Sequence, residues 1–183
     1  MVGFSYNWNL KMGVDSVSDV IKRIEKQLEI KHLDFSKKPL LIGGMAMEYY
    51  GLRKSGADID LMICEKDYQS LALANPDKRK DIWGDLGIVD EPFEMWRSIM
   101  LLDYDFYIED AVDEGVVYVV SLERLLFMCV LAMDIPKYKD DLKLIKDYYT
   151  QTFSNVDYAK TQQKHIATYK RTDGIVWGGK YSD

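Results

Sequence analysis

Two short stretches carry residue types that could do chemistry. Gly43-Gly44 follows the apolar run Leu40-Leu41-Ile42, and Asp58 and Asp60 stand two apart in an otherwise apolar run that ends at Cys64. A glycine pair between a strand and a helix leaves bare backbone N–H groups that can cradle phosphate oxygens. Two carboxylates separated by one residue on a strand project from the same face. So placed, they can hold Mg²⁺ ions, which take oxygen ligands and complete their shell with phosphate and water. Arg53, Lys54 and Ser55 lie between the two stretches and could reach a triphosphate through charge-assisted hydrogen bonds. Alone, a Gly-Gly pair is usually a turn, and Asp-x-Asp is usually the solvated side of an edge strand. Their order and spacing make the combination more specific than either part.

The elements that must position these residues follow from periodicity. Val17, Val20, Ile21, Ile24 and Leu28 recur at helical spacing, which predicts an amphipathic helix entered at Asp15 or Ser16. Residues 40–42 read as a buried strand, and 45–50 as a short helix closed by Gly51. Residues 58–64 read as a second strand, with Asp58 and Asp60 on one face and Ile59, Leu61 and Ile63 on the other. Residues 65–86 read as helix and loop, broken at Asn75-Pro76. The spacing predicts a long strand over 98–108, on which Asp103 and Asp105 point the same way, and a further strand over 116–120. Ser121 should cap a helix that carries Glu123 in its first turn and is apolar nearly all round over 125–133, hence buried. Helices over 138–149 and 156–171 and a poorly ordered tail complete the reading. The expected fold class is α/β (α+β): a small mixed sheet with flanking helices and a helical C-terminal half. Its expected parts are a sheet domain with an N-terminal helix over 1–120, a helical region packed on it over 121–171, and a tail over 172–183.

The bulk numbers narrow the function classes. The chain has 183 residues, 48% of them hydrophobic and 30% charged, which excludes a disordered chain, a collagen-like fibre and a disulfide miniprotein. A net charge of −6 argues against coating nucleic acid non-specifically, so nucleic acid enters as an acceptor at most. Cys64 and Cys129 sit in apolar runs and read as small core residues. His32 and His165 stand far apart, which disfavours a histidine dyad or a histidine-rich metal site. The first twelve residues lack a secretory pattern, and the longest apolar run is too short to span a bilayer, so no membrane is expected and the setting is cytoplasmic and reducing. The charge run from Asp77 to Asp81 reads as solvated surface, as do Lys160, Lys164, Lys170, Arg171 and Lys180. Trp83, Phe93 and Trp96, around Glu91-Pro92, read as packing.

In this order, Gly43-Gly44, Asp58-x-Asp60 and a later aspartate flanked by hydrophobics resemble the nucleotidyltransferase superfamily. That superfamily includes DNA polymerase β, the aminoglycoside and lincosamide nucleotidyltransferases, and toxin-type nucleotidyltransferases of abortive-infection systems. The resemblance implies Mg²⁺-dependent (or Mn²⁺-dependent) transfer of a nucleoside monophosphate from an NTP to an acceptor. It implies Asp58 and Asp60 as metal ligands and a third carboxylate, for which Asp103 and Asp105 both qualify, Asp105 being preferred as a ligand. Gly43, Gly44, Arg53, Lys54 and Ser55 would then face the nucleotide.

Further downstream, Tyr118-Val-Val-Ser-Leu-Glu-Arg-Leu-Leu126 and Pro136-Lys-Tyr-Lys-Asp-Asp-Leu-Lys-Leu-Ile145 resemble the toxin-like branch. Lys139 and Asp140 match its Lys-Asp pair near the active site. That branch often carries a lysine where Cys129 stands, three residues before Ala132. The acceptor stays open among a small molecule, tRNA and protein, and there is room for an antitoxin or other protein partner. The alternative is a nucleotide-binding or partner-binding module of the same fold with degraded chemistry.

Overall fold

The computed structural model describes residues 14–82 and 84–153, with positions 160, 163, 164 and 167 beyond them. Trp83, the segment 1–13, most of the helix expected over 156–171 and the tail over 172–183 fall outside the described residues. The chain divides into two compact units, Met1–Leu142 and Lys143–Asp183. Every residue of the candidate site lies in the first.

Helix α1 (Val14–Lys31) has the predicted amphipathic pattern. Val20 and Ile24 are fully buried, while Lys22, Arg23, Glu25 and Lys26 stay toward solvent. Strand β1 (Leu40–Leu41) is buried on both faces and very short, because the chain turns at once into helix α2 (Gly43–Tyr49). Gly51, at φ +68°, follows the C-cap residue Tyr50, the position where a glycine ends a helix. Met45, Ala46, Met47 and Tyr49 of α2 are buried, each fully buried large side chain contributing roughly 1.5–3 kcal/mol.

Strand β2 (Ile59–Met62) runs antiparallel to β1, pairing Leu41 with Leu61. Helix α3 (Glu65–Ala74) ends at Asn75, and Pro76 opens a single 3₁₀ turn, where the sequence placed a break. A hairpin of β3 (Gly87–Asp90) and β4 (Phe93–Trp96) then lays β4 parallel to β2. Phe93 and Met95 enter the core, as the packing reading of this segment requires.

Residues 98–108 are not one strand. They form β5 (Ser98–Ile99), β6 (Leu102–Asp103) and the one-turn helix α4 (Tyr104–Tyr107). Met100 and Leu101 make the two-residue hairpin loop, both at positive φ. The Asp85 carboxylate accepts from both of their N–H groups, at 2.7 and 2.8 Å. Asp103 then caps α4 by accepting from the Phe106 N–H at 3.2 Å.

Strands β7 (Val112–Asp113) and β8 (Tyr118–Val119) complete the main sheet, in the order β3-β4-β2-β1-β8-β7, with β8 parallel to β1. The architecture is therefore mixed α/β with a small mixed sheet, as expected. Helix α5 (Leu122–Leu131) is capped by Ser121, whose hydroxyl accepts from the Arg124 N–H at 3.3 Å. It buries Leu122, Leu125, Met128 and Cys129. Contrary to the expectation of full burial, Val130 and Leu131 remain 42% and 44% exposed, while those four residues form the covered side of the helix. Helix α6 (Pro136–Phe153) starts on Pro136 and continues into the second unit. Among the described residues, no helix is long and apolar enough to cross a membrane.

Candidate active site

The site forms where β1 ends and β2 begins. The Ile42 N–H donates to the Asp60 carbonyl at 3.0 Å, the last rung of the β1–β2 ladder. The next residue, Gly43, sits at φ +64°, and a Cβ built there would lie 2.2 Å from Asp60 Oδ2. The absence of a side chain at residue 43 is thus what lets the Asp60 carboxylate rest against the start of α2. There the neighbouring Gly44 N–H favours its charged form.

Asp60 lies half-buried on β2, with Ile59 and Leu61 buried on the opposite face. Asp58 precedes the strand, is exposed, and has no hydrogen bond among the described residues. The residue paired with Asp60 across the parallel β2–β4 ladder is Glu94. Adjacent strands run about 4.8 Å apart, so two carboxylates in register on one face repel strongly. The Asp60 carboxyl is accordingly pushed up to about 6, by burial first and then by Glu94 and Asp58, against the opposing pull of Lys137 and the Gly44 N–H.

Asp103 and Asp105 are not part of this group. The correction follows from the broken strand: Asp103 caps α4, and Asp105 is an exposed first-turn residue 3.4 Å from Lys37. The carboxylate that the sheet sets beside Asp60 is Glu94, flanked by Phe93 and Met95. The signal for it was present, since Phe93-Glu94-Met95 has the same apolar-acid-apolar form as Tyr104-Asp105-Phe106.

The basic residues near the site are mostly engaged. Arg53 makes a two-pronged pair with Asp141, Nε to Oδ1 at 2.5 Å and an Nη to Oδ2 at 2.8 Å. Lys54 donates to Glu48 at 3.1 Å, and Ser55 donates to the same carboxylate through its hydroxyl at 2.5 Å and its amide at 3.1 Å. Arg23 of α1 adds a further bond to Glu48 at 3.0 Å. Burial alone would raise the Glu48 carboxyl, but these donors together bring it down to about 2. Lys80 places its ammonium 2.8 Å from both oxygens of Glu94. Arg53, Lys54 and Ser55 thus form a loop tied to α1, α2 and α6.

Helix α6 adds its first turn. Lys137 is close enough to Asp60 to favour its charged form. It has no ion-pair partner among the described residues, and its ammonium lies 5.6 Å from the Tyr138 ring centroid. The Tyr138 phenol is pushed up by burial and by the field of Asp60, Cys129, Asp141 and Glu94. Lys139 and Asp140 are both exposed, with no side-chain bond among the described residues, while the neighbouring Asp141 is the buried member of this run. Cys129, 3% exposed, lies beside Arg53, Asp141 and Lys137, and burial pushes its thiol up to about 11. Sequence reasoning passed over Glu48, Glu94, Tyr138 and Asp141, and read Lys80 as part of a solvated charge run. Each is an ordinary polar residue until the sheet and α6 are assembled.

The Arg53–Asp141 pair gives a first prediction. Asp141→Ala leaves a mostly buried guanidinium without its carboxylate, and chemical denaturation at pH 7 should show a loss of about 2 kcal/mol. A loss below about 0.5 kcal/mol would mean that the pair is no stronger than a solvated surface bridge.

Asp58, Asp60 and Glu94 supply oxygen donors alone, and Asp60 carries like-charge repulsion that Lys137 offsets only in part. That chemistry fits a hard divalent cation such as Mg²⁺. As placed, no three His, Cys, Asp or Glu side chains among the described residues form a ready metal cage. No family model and no curated protein matches the chain.

Proposed function

We propose that the protein is a Mg²⁺-dependent nucleotidyltransferase that moves a nucleoside monophosphate from an NTP to an acceptor hydroxyl, releasing pyrophosphate. The observation that carries this reading is the register pair Asp60–Glu94, joined by Asp58 and seated against Gly43-Gly44. Asp58, Asp60 and Glu94 would hold the metal. Bound there, Mg²⁺ would neutralise the triphosphate and lower the pKa of the acceptor hydroxyl. The Gly44 N–H lies where it favours the charged form of Asp60. Lys137 supplies a positive charge beside the carboxylates for the phosphate chain. The protein forms no covalent bond to the nucleotide; it aligns hydroxyl and α-phosphate and screens their charges. The two free cysteines are compatible with a reducing cytoplasm, where NTP is abundant.

A second reading has its own support. Arg53 is held by Asp141, Lys54 by Glu48, and a cysteine stands at residue 129. These features favour a module of this kind that binds nucleotide, or a protein partner such as an antitoxin, without turning over.

Radiolabelled NTPs with Mg²⁺ and candidate acceptors, followed for pyrophosphate release, separate the two. The enzyme reading expects release that Asp58→Ala or Glu94→Gln removes. Tight Mg·NTP binding with no release over hours supports the module instead.

A further inference from the structure

Lys80 is the unusual member of the site, because it is a fixed positive charge where the proposed reading needs a metal. Its ammonium sits 2.8 Å from each Glu94 oxygen, covering the carboxylate symmetrically, and 5.4 Å from the Trp96 ring centroid. Its backbone is pinned as well as its side chain. The Lys80 N–H donates to the Gly87 carbonyl at 2.8 Å, and the neighbouring Arg79 bridges to Ile88. A Cβ on Gly87 would come within 2.9 Å of the Lys80 carbonyl and 2.7 Å of the Trp96 ring, so the segment is docked as closely as a bare glycine allows. Glu94, in turn, is the ladder partner of Asp60. The acid pair therefore already contains one cation, delivered by the chain itself.

We propose that Lys80 is an intramolecular competitor of the divalent cation. It neutralises Glu94 whenever no metal is bound and must leave that carboxylate before a metal can be shared by Glu94 and Asp60. This rests on the reading of Asp58, Asp60 and Glu94 as metal ligands. With Lys80 37% and Glu94 27% exposed at the side chain, the pair is partly solvated. Its rupture therefore lowers metal affinity by roughly three- to fivefold, not by orders of magnitude. The displaced ammonium keeps its anchored stem, and the phosphate chain of the incoming nucleotide offers it a new partner. Metal alone would then bind weakly, and metal with nucleotide more tightly.

The test is Mn²⁺ binding to the full chain, read from the loss of the free-ion electron paramagnetic resonance signal, with no nucleotide and no turnover. Lys80→Met keeps the aliphatic stem over Trp96 and removes the charge. It should bind Mn²⁺ about three- to fivefold more tightly than the unaltered chain. Lys80→Arg, which keeps the pair, should leave the affinity within about twofold. Lys78→Met removes a like charge that serves Asp90, 3.0 Å away, and should also leave it unchanged. Equal tightening by Lys78→Met and Lys80→Met, or no tightening by Lys80→Met, overturns the competition while the metal site stands. Failure of every variant to bind Mn²⁺ overturns the metal reading itself.

Discussion

Asp60→Asn is expected to abolish NTP turnover and, in the same protein, to raise stability. The two effects have one cause. Asp60 is pushed up to about 6 from its ordinary 3.8, by burial and by the adjacent Glu94 and Asp58. The folded state therefore holds the Asp60 proton more tightly than the unfolded chain does. Its contribution favours folding fully below about pH 3.8 and is lost as the pH rises through 6. At pH 8 the ionised Asp60 works against the fold, and after allowance for solvent reaching this half-buried group the neutral asparagine should gain about 1–2 kcal/mol. The gain should be small near pH 4 and gone by about pH 3, where both states are protonated. Loss of a metal ligand should cost at least about 10³-fold in turnover. Urea titrations at the two pH values, paired with a pyrophosphate assay, check both halves. A variant that is destabilised at pH 8, or fully active, contradicts the assignment of Asp60.

Gly43→Ala is expected to damage fold and site together. At φ +64° an alanine costs about 1 kcal/mol in backbone conformation. Its Cβ would also lie 2.2 Å from Asp60 Oδ2 and 2.9 Å from Asp60 Cγ, so the carboxylate must move off the start of α2. Together these should cost about 3 kcal/mol and remove Mg·NTP binding. Gly44→Ala is the matched control: its nearest neighbour outside the local chain is an Arg53 Nη at 3.6 Å, an ordinary contact. It should change stability by less than about 1 kcal/mol, since within a helix alanine is no worse than glycine. Chemical denaturation of both variants measures the difference, and equal losses would remove the argument for close approach at residue 43.

The parts of the fold set by local chemistry could be read from the sequence. The amphipathic stripe of α1, the Gly51 stop after α2, the Asn75-Pro76 break and the Ser121 cap each depend on residues within a turn or two of one another. Gly43-Gly44 and Asp58-x-Asp60 were legible for the same reason. The segment 98–108 was not, because its hairpin loop is Met100-Leu101 and carries no glycine, asparagine or proline. What holds that loop is Asp85, fifteen residues upstream of Met100. With the loop invisible, alternating apolar residues and acids looked like a strand, and Asp103 looked like a ligand rather than a helix cap.

The site was half legible for a related reason. Glu94 meets Asp60 through a parallel pairing, and parallel partners are brought together by a crossover that local sequence does not specify. Lys80 and Asp141 arrive by the same long-range route, the first beside β3, the second on the first turns of α6. Composition showed a surplus of acids, and the fold sets a few of them close together. Composition could not say which acids.

The most direct test of the central claim is a thermal melt of the chain with each of the four NTPs, with and without Mg²⁺. At least one Mg·NTP pair should raise the midpoint by about 3 °C or more, neither Mg²⁺ nor NTP alone should do so, and Asp60→Asn should lose the shift while melting higher at pH 8. No shift with any Mg·NTP pair, or an equal shift in Asp60→Asn, would contradict a metal-dependent nucleotide site built on Asp60 and Glu94.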